Sequence, residues 1–81
     1  DALAMRLKSA FTKKGYRLRY DSYTNQQFPI LPNEHMEKLK EKYSFAFWEA
    51  VDASHSTVRF CTSWATKEAA VDELIRDIEA L

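Results

Sequence analysis

The sequence predicts an α/β domain of the α+β kind: a three- to four-stranded, mainly antiparallel sheet with helices packed on one face, in the order αββαββα. Three observations carry that expectation. Leu3, Leu7, Ala10 and Phe11 near the start, and Val71, Leu74, Ile75 and Ile78 near the end, recur at helical spacing. Residues 56–63 alternate instead, with Val58, Phe60 and Thr62 on one side and Thr57, Arg59 and Cys61 on the other, the period of a strand. Turn formers at Asp21–Thr24 and Asp52–His55 separate extended segments from one another. The 81 residues fit a single domain, 1–81, without linker, low-complexity run or internal repeat.

The first helix is expected over Asp1–Lys14. Because the chain opens inside a helical pattern with no initiator Met, the natural protein is expected to begin earlier. Lys13 and Lys14 suit the negative end of the helix dipole, and Gly15, the only glycine, supplies the left-handed residue that stops the helix. Tyr16–Tyr20 alternates apolar residues with Arg17 and Arg19 and reads as a half-exposed strand. Gln26–Leu31 resumes extended structure with Phe28 and Ile30 on one face, but Pro29 lacks an amide donor and makes this strand an edge or an irregular one. Asn33 is expected to cap a second helix that buries Met36, Leu39 and Tyr43, with Glu34 and Glu37 in its first turn. Ser44–Val51 and Ser56–Ser63 then form an antiparallel hairpin, and Thr66 caps the last helix.

Composition narrows the function. Hydrophobic residues make up 46% of the chain, including five Phe, four Tyr and two Trp, enough for a packed core and against disorder. Twelve basic side chains balance twelve acidic ones, so no field gathers polyanions, which argues against nucleic acid as a partner. Apolar runs fall far short of the ~20 residues a membrane span needs, and no leader pattern opens the chain, so the expected place is the cytoplasm, off the membrane. One cysteine, Cys61, makes no internal disulfide and fits a reducing compartment. His35 and His55 lie in separate segments without metal-ligand spacing, so no metal site is expected.

The strand face opposite Val58 and Phe60 is the candidate site, since the helices are expected to leave it uncovered. Arg59 lies there. A guanidinium between buried neighbours is costly unless an anion meets it, and the sequence leaves two partners open: Glu49 across the hairpin, or a bound carboxylate or phosphate. Other catalytic constellations are weak. Ser54, His55 and Ser56 are adjacent in a turn, with no carboxylate expected to orient His55 as a base. One glycine cannot build a phosphate loop, Cys61 reads as an inert small hydrophobe, and Trp64 as packing at a strand end. No catalytic residue is assigned to the chain.

The run Val58-Arg59-Phe60-Cys61-Thr62-Ser63-Trp64-Ala65-Thr66, followed by an acidic amphipathic helix, resembles the closing strand and last helix of the pyridoxal-phosphate-dependent threonine aldolase and β-eliminating lyase family. Thr24-Asn25-Gln26-Gln27-Phe28 is similar to the segment that opens the C-terminal sheet of that family. The resemblance covers essentially the whole chain and implies the small C-terminal domain of a fold type I enzyme. It implies further that pyridoxal 5'-phosphate and the Schiff-base lysine belong to a large domain outside this chain, and that the parent is a homodimer or homotetramer. The parent would cleave β-hydroxy-α-amino acids to glycine and an aldehyde; the 81 residues alone are not expected to be active. In such enzymes the position of Arg59 clamps the substrate's α-carboxylate and so orients the scissile bond against the cofactor ring. Where the family tends to carry Thr-His and then Asp-Val, this chain has Thr62-Ser63-Trp64-Ala65-Thr66, a divergent branch. The alternative is a stand-alone binding module that uses an open sheet face.

Overall fold

A computed structural model describes residues 2–63 and 65–81. Asp1, expected to open the first helix, and Trp64, expected to pack at a strand end, lie outside the described residues.

Helix α1 spans Ala2–Lys14 and buries Ala4, Leu7, Ala10 and Phe11, the predicted stripe shifted by one position at its start, with Leu3 packed at the margin. Gly15 stops it at φ 99°, a conformation that costs a residue with a Cβ. Its amide donates to the Thr12 carbonyl and the Tyr16 amide to the Phe11 carbonyl, each at 3.0 Å, so two of the orphan carbonyls at the helix end are satisfied.

The strand expected at Tyr16–Tyr20 does not form. Leu18 makes a single bridge to Pro29, flanked by bonds of 2.8 Å from Arg19 N–H to the Phe28 carbonyl and from Ile30 N–H to the Arg17 carbonyl. Beyond Arg19 the chain turns away, and Asp21 pairs with Lys8 of α1. The extended segment after it is split into β1 (Gln26–Gln27) and β2 (Ile30–Pro32). Both pair antiparallel with β4 (His55–Cys61), and the register runs unbroken from Gln27 opposite Phe60 to Ile30 opposite Thr57. They are halves of one strand, parted at Pro29, whose missing N–H interrupts the ladder. Its carbonyl still accepts a bond from Val58 N–H at 3.1 Å. The αββαββα order therefore holds, but its first two strands are this divided one.

Helix α2 covers Asn33–Lys40 and buries Met36 and Leu39, with Tyr43 half-buried beyond its end. Asn33 is not its cap: it is the first helical residue, and its side chain serves the hairpin instead. Ser56 Oγ donates to Asn33 Oδ1 at 2.7 Å, and the Asn33 amide donates to the Ser54 carbonyl at 2.8 Å. Strand β3 (Ala46–Ala50) completes the hairpin with β4, with a bulge between Phe47 and Glu49. Helix α3 covers Glu68–Glu79 and buries Val71, Leu74 and Ile78. Thr66 does not cap it either; its Oγ1 accepts the Ser63 N–H at 2.8 Å in the turn ahead of the helix.

Strand β4 is central, with β1 and β2 along one side and β3 along the other. All three helices meet its Val58 and Phe60 side in one core, in which Phe11, Leu31, Leu39, Val58 and Ile78 are each at most 2% exposed. Among the described residues, no helix packs on the opposite side of the sheet.

Candidate functional site

Alternation along β4 brings Thr57, Arg59 and Cys61 to the helix-free face. Their cross-strand partners point the same way: Ile30 and Glu49 lie opposite Thr57, and Ala46 opposite Arg59. That face is not bare, as the sequence led us to expect. The Trp48 ring lies 5.7 Å from Arg59 Cζ, Phe28 lies 5.1 Å from Trp48, and Tyr20 lies 5.1 Å from Phe28. Arg19 Cζ then sits 4.7 Å over the Tyr20 ring. A row of three aromatic rings thus crosses the sheet between two arginines. The β3 bulge explains its far end, because the extra residue lets Trp48 as well as Glu49 reach this side.

Glu49, the internal partner considered for Arg59, is bonded elsewhere: Arg19 Nε donates to Glu49 Oε1 at 2.8 Å. Arg59 has no ion pair among the described residues, and its buried Nε has no hydrogen-bond partner. A buried donor left unpaired costs roughly 1–3 kcal/mol. Contact with the Trp48 face offsets part of this through the ring quadrupole but satisfies no N–H. Beside it is an open concavity of about 390 Å³ lined by Ser44, Phe45, Ala46, Arg59 and Cys61. Chemically, the arrangement is a cationic fork on an aromatic floor, with the shape and charge to accept a carboxylate or phosphate.

Other sequence candidates are placed apart from it. Cys61 is free and exposed at the strand end rather than packed as a small hydrophobe. His35, on α2, shares one hydrogen bond with the Tyr16 hydroxyl at 2.7 Å. At the hairpin turn the structure corrects the expectation that His55 has no carboxylate: Asp52 Oδ1 lies 3.0 Å from its Nδ1. Ser54 Oγ also lies 3.0 Å from that same nitrogen. A nucleophile and an orienting acid must occupy opposite ring nitrogens, so this cluster is a turn clasp and not a triad.

The Ser54 N–H, and next the His55 ring, hold the Asp52 carboxyl down to about 2 from its ordinary 3.8. A carboxyl depressed in the folded state stabilises above its unfolded pKa and loses that contribution as pH falls through the folded one. The wild-type advantage over Asp52→Asn in urea unfolding is therefore expected at neutral pH and to vanish between about pH 4 and about pH 2. An advantage constant over that window would assign the clasp no titrating role.

The three helices behind one four-stranded antiparallel sheet match the small α+β domain of fold type I enzymes in architecture. More particularly, the chain is similar to a threonine aldolase from Leishmania major, matched with a TM-score of 0.94 and 30% identity over 98% of its length. The likeness to a threonine aldolase C-terminal domain that the sequence carries is thus also a likeness of structure. The chain spans 23% of the length of that enzyme. No family model matches the chain, and no curated protein sequence does. No helix among the described residues is long and apolar enough to cross a membrane.

The residues present do not suit pyridoxal phosphate. The one glycine ends α1, and the seven lysines lie in or next to helices, none on the strand face that carries Arg59. Lys8 and Lys42 are already engaged by Asp21 and Asp77.

Proposed function

We propose that the chain is the C-terminal small domain of a pyridoxal-phosphate-dependent lyase that cleaves β-hydroxy-α-amino acids such as threonine and allo-threonine to glycine and an aldehyde. The observation that carries this reading is the Arg59 guanidinium, which has no ionic partner among the described residues and a buried Nε without a hydrogen bond, in a chain similar to a threonine aldolase over 98% of its length. Arg59 receives the substrate's α-carboxylate through its planar fork, which fixes two atoms of the substrate and so the direction of the bond to be broken. The Trp48 ring supports the guanidinium from beneath and limits its rotamers.

The cofactor, which supplies the electron sink, is held by a large domain outside these residues. Exposed Phe47 and Trp48 on β3 and Val51 just beyond it form an apolar edge suited to contact with that domain, at 57%, 43% and 46% exposure. The parent assembles as a homodimer or homotetramer in the cytoplasm, where a free, exposed Cys61 stays reduced.

The test is aldehyde release from L-threonine and L-allo-threonine by the full-length parent with pyridoxal phosphate, alongside the visible absorbance of the bound cofactor. Release from both is the expected result. Cofactor absorbance without aldehyde would overturn the substrate, and absence of any cofactor band would overturn the lyase in favour of a binding module.

A further inference from the structure

Arg59 and Glu49 are neighbours that do not meet. Glu49 is opposite Thr57, and Arg59 lies two residues along β4 on the same face, so the two are diagonal cross-strand neighbours within reach of long side chains. A carboxylate so placed would ordinarily take the unpaired guanidinium. It is drawn off instead by Arg19, a residue 30 positions away in sequence. Arg19 is well placed to do this. Its N–H is anchored on the Phe28 carbonyl at 2.8 Å, and its guanidinium rests 4.7 Å over Tyr20.

We infer that Arg19 is a positioning residue: by binding Glu49 it keeps that carboxylate off Arg59 and leaves the guanidinium free for the carboxylate of the substrate. The inference rests on the clamp role proposed for Arg59. Both members of the Arg19–Glu49 pair are about half exposed, at 47% and 41%, so the pair contributes little to stability. Its effect is on which anion Arg59 meets. A tethered carboxylate acts at an effective concentration far above that of a dissolved amino acid, so Glu49, once released, competes with substrate. The competition is felt before chemistry, in KM and not in kcat.

The experiment measures KM and kcat for threonine in the full-length parent. Arg19→Ala is expected to raise KM about two- to fivefold with kcat retained, the range for a half-exposed competing ion pair. Adding Glu49→Gln to Arg19→Ala is expected to bring KM back to the wild-type value, a recovery that loss of packing at Arg19 does not produce. An unchanged KM in Arg19→Ala overturns the inference, as does a rise that Glu49→Gln fails to reverse or one accompanied by an equal loss of kcat. Arg59→Gln separates the two levels. If it leaves threonine kinetics intact, the clamp itself fails; if it impairs them while Arg19→Ala does not, the clamp stands and only the role of Arg19 fails.

Discussion

Replacing Arg59 by glutamine in the full-length parent is expected to lower kcat/KM for threonine by about 10²–10³-fold, the loss that follows removal of one partner from a buried charge pair. Arg59→Lys is expected to recover only part of it, because an ammonium lacks the planar fork and the stacking on Trp48. Stability should move the other way. The Arg59 Nε is already buried without a partner, so removing the cation relieves a desolvation cost rather than breaking a bond. The variant is therefore expected to melt at or slightly above the wild-type temperature and to keep the absorbance of the bound cofactor. Equal losses of activity and of melting temperature would identify Arg59 as a structural residue and sink the clamp.

Which parts of this fold were legible follows from the reach of the forces involved. The stop at Gly15, the stripe of α3 and the β3–β4 hairpin are written in contacts a few residues apart, and each stands where the pattern put it. Asn33 and Thr66 carry the right chemistry for caps, but their oxygens are taken by Ser56 Oγ and by Ser63 N–H. A cap competes with every other donor the fold brings near, and the sequence does not show those donors. The strand expected at Tyr16–Tyr20 has the right alternation too. Both bonds expected around Leu18 are made, but beyond Arg19 the chain turns away and Asp21 pairs with Lys8, so the pairing stops at a single bridge.

The candidate site divides in the same way. The side of β4 on which Arg59 lies follows from alternation alone, because the period of a strand is two. Its partner does not. Glu49 was in reach on the hairpin register, yet its bond goes to Arg19 from a segment beyond the opposite edge of the sheet. The aromatic row depends likewise on the β3 bulge, an inserted residue with no sequence signature of its own, which brings Trp48 against Phe28. The tendency toward aromatics in β3 was visible; the face they would occupy was not.

The other large effect lies on the back of the sheet. Phe11 is fully buried, with its ring 5.3 Å from Phe60 and 6.1 Å from Tyr16. Phe11→Ala is expected to cost about 3–5 kcal/mol, the transfer of the lost ring plus the cavity it leaves. A domain of 81 residues is stable by only roughly 4–12 kcal/mol at the usual 0.05–0.15 kcal/mol per residue. The loss should therefore lower the melting temperature by at least about 12 °C, at about 4 °C or more per kcal/mol for a chain of this size. Phe47→Ala, which truncates the same side chain at 57% exposure on β3, is expected to stay within about 0.5 kcal/mol. Urea unfolding of both variants followed by tryptophan fluorescence separates the cases. Comparable, small losses would mean that α1 is not docked on Phe60, and β4 would then lack the rigid backing that aims Arg59 from its other face.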